Sequence, residues 1–101
     1  METKRIKSLV VYFYDGEKLT DDGYDLTAIV GDYIQLYGLK IFVTCYDPQN
    51  EAIEAILDKQ VQLIVDLGEK KIEGRVKAHI HKPEIPTREF GLQTQLVFVK
   101  L

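Results

Sequence analysis

Apolar and polar residues alternate along most of this chain with a period of two, the spacing of β-strands. Between Arg5 and Tyr14, one set of positions holds Leu9, Val11 and Phe13, and the other holds Val10, Tyr12 and Tyr14. A second extended region is expected over Tyr24–Val30, then a turn at Gly31-Asp32 and a strand over Tyr33–Tyr37 with Ile34 and Leu36 inward. Gly38 breaks or bends the chain there. The alternation resumes over Leu39–Tyr46, with Leu39, Ile41, Val43 and Cys45 against Lys40, Phe42, Thr44 and Tyr46. The dipeptides Asp15-Gly16 and Asp22-Gly23 are turn signals, and they bracket a polar excursion with no alternation of its own.

After Tyr46 the period changes. Asp47 suits a helix N-cap, Pro48 the first helical position and Glu51 the positive end of the dipole. Ala52, Ile53, Ile56 and Leu57 form an apolar stripe at helical spacing. The pattern predicts a helix of about twelve residues ending near Lys59, too short to stand alone and so docked on the sheet. Strands are expected again over Val61–Leu67 and Ile72–His81, joined by a turn at Gly68-Glu69-Lys70. Pro83 and Pro86 then bound a loop, and Leu92–Leu101 forms a last strand. The predicted class is α+β and mostly β, as one domain over residues 1–101.

The inward positions are filled by aliphatic residues. Tyr12, Tyr14, Tyr33, Tyr37, Phe42 and Tyr46 therefore fall on the opposite surface, since successive strand side chains point to opposite faces. A tyrosine pairs an apolar ring with a polar tip and can stack on a nucleobase. High strand propensity alone also explains a tyrosine-rich, half-buried sheet. On the last long strand Arg75, Lys77, His79 and His81 share one face, with Lys40 in an outward position elsewhere. Cations at this spacing suit a phosphate backbone, and equally a solvated strand face guarded against aggregation.

Charge sharpens the picture. The net charge of −3 is distributed as +2 over residues 1–14, −8 over 15–66 and +3 over 67–101. The acidic total argues against a general duplex-DNA binder, while the two ends of the chain supply a local basic stripe. Charged residues make up 29% and hydrophobic ones 46%, a balance that excludes a disordered chain. No apolar run reaches the ~18 residues of a membrane span, and the N-terminal stretch reads as a strand, not a signal peptide. The lone Cys45 has no internal disulfide partner, which fits a reducing, cytoplasmic setting.

Chemistry finds little footing. The chain has no GxGxxG, GxxxxGK or GxSxG pattern, and its one serine is Ser8. His79-x-His81 is a weak metal signal without a CxxC or HExxH companion, so neither a metal nor a cofactor is expected. Asp15, Glu17, Asp21, Asp22 and Asp25 crowd a turn region without a histidine partner, as a solvated loop does. The expectation is a protein that binds and does not catalyse.

The stretch FVTCYDPQNEAIEAILDKQVQLIVDLGEKKIEGRVKAHI, from Phe42 to Ile80, resembles the single-stranded DNA-binding proteins of the oligonucleotide-binding (OB) fold in its order of elements. It departs from them in lacking tryptophan and an acidic C-terminal tail. The resemblance implies a five- to six-stranded antiparallel barrel with one helix between the third and fourth strands. It implies bases stacked on the outward rings and phosphates met by basic side chains. The candidate nucleic-acid-binding residues are Tyr12, Tyr14, Tyr33, Tyr37, Lys40, Phe42, Tyr46, Arg75, Lys77 and His79. The competing expectation is a small protein-interaction module, such as a phage or mobile-element structural subunit or an inhibitor of a host enzyme, using its aromatic face or acidic loop. A homo-oligomer built on exposed strand edges is a third.

Overall fold

The computed structural model describes residues 2–88 and 90–101. Its strands are β1 (Glu2–Arg5), β2 (Ser8–Asp15), β3 (Lys18–Asp25), β4 (Val30–Tyr37), β5 (Lys40–Cys45), β6 (Gln60–Asp66), β7 (Lys71–His81) and β8 (Gln95–Lys100). A 3-10 turn at Thr27–Ile29 precedes β4, and the helix α1 (Glu51–Ile56) lies between β5 and β6. All strands belong to one antiparallel ladder in the order β1-β4-β5-β8-β7-β6-β2-β3.

This ladder must curl. β1 and β2 stand six steps apart in it, roughly 29 Å in a flat sheet. Only Ile6 and Lys7 separate them in sequence, and that short link reaches about 10 Å. At this joint Ile6 N–H donates to the Asp32 carbonyl at 2.8 Å, on β4, and Lys7 N–H to that of Asp66 at 2.7 Å, on β6. One bent stretch of chain thus borders both halves of the sheet. The ladder still ends at β1 and β3, so it is an open eight-stranded sheet and not the closed five- or six-stranded barrel expected.

The curl encloses one core. Ile34 lies opposite Val43, Ile41 opposite Phe98, and Phe98 opposite Ala78. On the other half Leu9 faces Val65, Val11 faces Leu63, and Val61 faces both Phe13 and Val76. Ala52, Ile53 and Ile56 bring α1 onto this same inner surface. The inward residues expected from alternation are the ones that form the core, except that Leu39 sits exposed in a hairpin turn.

Local departures from the expected elements each have a cause. Asp15 pairs with Lys18 across Gly16-Glu17, and Gly16 takes φ 62°, which the first position of such a two-residue hairpin favours. The polar excursion is therefore a hairpin. Asp22-Gly23 lies inside its second strand, not in a turn. β3 is an edge strand with little to bury, so its sequence carries no alternation. Leu26, near the start of the expected extended stretch Tyr24–Val30, is fully buried. The chain there folds into the 3-10 turn instead of continuing as a strand. The helix is capped by Asn50, whose side chain accepts from Ala52 N–H at 2.9 Å, and not by Asp47. It stops at Ile56 because Leu57 turns extended and bridges Ala78 on β7, while Asp58 N–H donates to the Ala78 carbonyl at 2.8 Å.

Candidate nucleic-acid interface

The outer surface of β4, β5, β8 and β7 is built from two neighbouring cross-strand rows. In the first, Gln35 faces Phe42, Phe42 faces Val97, and Val97 faces His79. In the second, Tyr37 faces Lys40, Lys40 faces Val99, and Val99 faces Lys77. Each row spans three strand spacings, roughly 14 Å, and the rows lie about 7 Å apart along the strands. Aromatic rings, aliphatic floor and cations thus share a single patch. Tyr33 and Tyr37, both on β4, are 50% and 61% exposed, and Tyr46, just after β5, is 65% exposed. Tyr33 pairs across the edge with Arg5, whose guanidinium centre sits 5.9 Å from the ring centroid.

None of the six rings is sealed beneath α1, which packs on the inner surface. They nevertheless fall into two groups. Tyr33, Tyr37, Phe42 and Tyr46 belong with Lys40, Lys77 and His79 on the β4-β5-β8-β7 half. Tyr12 and Tyr14 stand on β2, across β6 from Arg75: Tyr12 faces Gln62, and Gln62 faces Arg75. Both of these rings are half-buried.

Arg75 is already engaged. Its Nη1 donates to Glu17 Oε2 at 2.8 Å, and its guanidinium lies 4.1 Å from the Tyr14 ring centroid. The Tyr14 hydroxyl in turn donates to Gln62 Oε1 at 2.6 Å. This set ties the tip of the β2–β3 hairpin to β6 and β7. Alternation groups Arg75 in one stripe with Lys77 because the two share a strand face. No local pattern marks Glu17, which arrives from the hairpin 58 positions away in the chain.

The loop between β7 and β8 adds residues that alternation did not single out. Thr87 and Gly91 exchange backbone hydrogen bonds of 2.8 and 2.9 Å, and Phe90 N–H donates to Thr87 Oγ1 at 3.0 Å. Cys45 N–H donates to the Thr94 carbonyl at 2.9 Å, and Thr44 Oγ1 to Gln93 Oε1 at 3.3 Å, fastening the loop to β5. A cleft of about 320 Å³ remains between loop and sheet, lined by Gln35, Tyr37, Phe42, His81, Phe90 and Gln95. The length of this proline-bounded segment was the available signal, since long ordered loops are commonly functional.

Among the described residues, two titrating groups depart from their ordinary values. Asp25 accepts from Thr27 O–H at 2.5 Å and Thr27 N–H at 3.0 Å, and these bonds hold its carboxyl below the usual 3.8. Burial pushes the Cys45 thiol up, so it stays protonated as a small hydrophobe. Among the described residues no three of His, Cys, Asp and Glu gather as a metal site. Among them, too, no helix is long and apolar enough to cross a membrane.

No family model, no curated protein and no solved structure matches this chain.

Proposed function

We propose that this protein is a non-enzymatic module that binds single-stranded nucleic acid on the outer surface of β4, β5, β8 and β7. The observation that carries the reading is the row Tyr37–Lys40–Val99–Lys77, whose tyrosine and lysines are exposed, flanked by the half-buried Phe42 and His79 and by the exposed Tyr33 and Tyr46. Exposed rings beside cations are what a flexible strand requires: a π-surface for its bases and positive charge for its backbone. The resemblance to OB modules rests on the order of elements from Phe42 to Ile80, a strand, a short helix and a hairpin. The sheet here is open, has eight strands and carries the helix after its fifth. Arg75, held by Glu17, contributes to the hairpin and not to the phosphate track. The buried, unpaired Cys45 accords with a cytoplasmic protein.

A labelled oligo-dT titrated at two salt concentrations tests this by fluorescence anisotropy. Binding at micromolar concentration or tighter that weakens with salt supports it. Absence of binding at low salt overturns it.

A second reading draws on the acidic hairpin. Asp15, Glu17, Asp21, Asp22 and Asp25 are all exposed along or beside the edge strand β3. A basic protein partner would meet them, and this would make the molecule an interaction module. A pull-down that returns a stoichiometric partner, lost when Asp21 and Asp22 are replaced by Asn, favours that reading.

A further inference from the structure

The cleft beneath the β7–β8 loop shares Gln35, Tyr37 and Phe42 with the two rows and adds buried amides that the exposed lysines lack. Gln95 is 2% exposed and Gln35 8% exposed, and both line it. Among the described residues, Gln95 Nε2 and Gln35 Oε1 are buried without a hydrogen-bond partner. A buried amide atom left unpaired costs about 1–3 kcal/mol, so two in one small cleft form a standing demand for a donor and an acceptor from outside. The surrounding walls are the rings of Tyr37, Phe42 and Phe90, with His81 alongside. The volume, about 320 Å³, falls at the small end of ligand pockets.

Resting on the strand-binding reading, we infer that this cleft takes one unstacked nucleobase, its flat faces against the rings and its polar edge against the Gln35 and Gln95 amides. A glutamine amide presents a donor and an acceptor side by side, the pattern that pairs with a base edge. Unstacked bases are read in this way, by aromatic stacking combined with hydrogen bonds to the edge. The lysines and exposed tyrosines of the open face accept any strand. The cleft adds a preference at one position. The same base chemistry belongs to a free nucleoside, and the test separates the two sources.

Anisotropy titrations compare oligo-dT, oligo-dA, oligo-dC and an abasic strand of the same length, against the wild type and the variants Gln35→Leu and Gln95→Leu. The wild type favours one base over the abasic strand by about fivefold or more. Both variants lose that preference, and Gln95→Leu, which lies outside the two rows of the open face, keeps the salt-dependent affinity shared by all strands. Thermal unfolding of the variants stays at or above the wild-type midpoint, because leucine fills the space without an unpaired amide. Equal affinity for every strand, unchanged in the variants, overturns the cleft and leaves the open face standing. If no strand binds, nucleosides are titrated against the labelled protein by NMR. Shifts at Gln35 and Phe90 then retain the cleft as a nucleoside site, and silence there overturns it.

Discussion

Tyr37 and Tyr46 are the rings with the least to hold them and the most surface to offer. Replacing both with alanine leaves the unfolding midpoint nearly unchanged and weakens strand binding by about 1–3 kcal/mol for each ring that stacks. Anisotropy together with a thermal melt checks both halves of that statement. Arg75→Ala behaves in the opposite way: it costs roughly 1 kcal/mol of stability through the lost Glu17 pair and Tyr14 contact, and changes binding little. Asp25 and Thr27 supply a pH signature. Thr27 Oγ1 also accepts from Leu9 N–H at 3.0 Å, so Thr27→Val removes both that bond and the support of the carboxylate. A carboxyl held below its ordinary value stabilises the fold above about pH 4 and loses that contribution as pH falls through its lowered value. Urea titrations from pH 7 to pH 3 therefore show the gap between Thr27→Val and wild type narrowing at the acid end. The outward orientation of the tyrosines was legible because strand alternation is strict and the aliphatic positions are unambiguous. The engagement of Arg75 was not, since it depends on a residue 58 positions away in the chain.

Among the elements, β2 and β5 to β8 were readable in the sequence and β4 in part, since it runs through Gly31-Asp32 where a turn was expected, while β1 and β3 were not. An edge strand lined with aspartates buries almost nothing, and acidic side chains on an edge also discourage pairing with another chain. Its place is instead enforced by Gly23, where an added Cβ would lie 1.9 Å from the Val11 carbonyl oxygen. Gly23→Ala must push β3 away from β2, and a loss of about 1–3 kcal/mol in chemical denaturation is expected. A neutral result would mean that the hairpin sits farther from β2 than described. The helix lies within the expected stretch but is half as long, starting at Glu51 after the Asn50 cap and ending at Ile56. Propensity carried the expected helix to Lys59, and the parallel bridge from Leu57 to Ala78 pulls its last turn onto β7. A tertiary contact of this kind leaves no local mark in the sequence.

For the molecule as a whole, the curl of the sheet does two things at once. It closes the core around Phe98, Leu63 and Ile53, all of them essentially inaccessible, and it turns the aromatic rows outward. Phe98→Ala is expected to cost about 3–5 kcal/mol and to abolish binding only through loss of the fold. Charge is also divided along the ladder, with the acidic β2–β3 hairpin at one end and the exposed Lys40 and Lys77 on β5 and β7, nearer its middle. The number of strands and the open ladder could not be read from the chain, because which strands pair is decided by the two-residue joint at Ile6-Lys7 and by the unpatterned edge. NMR chemical-shift mapping with saturating oligo-dT tests the account most directly. Shifts gathered on Tyr37, Lys40, Phe42, Lys77 and His79, with the β2–β3 hairpin silent, are the predicted result. Shifts confined to that acidic hairpin, or none at all, would contradict it.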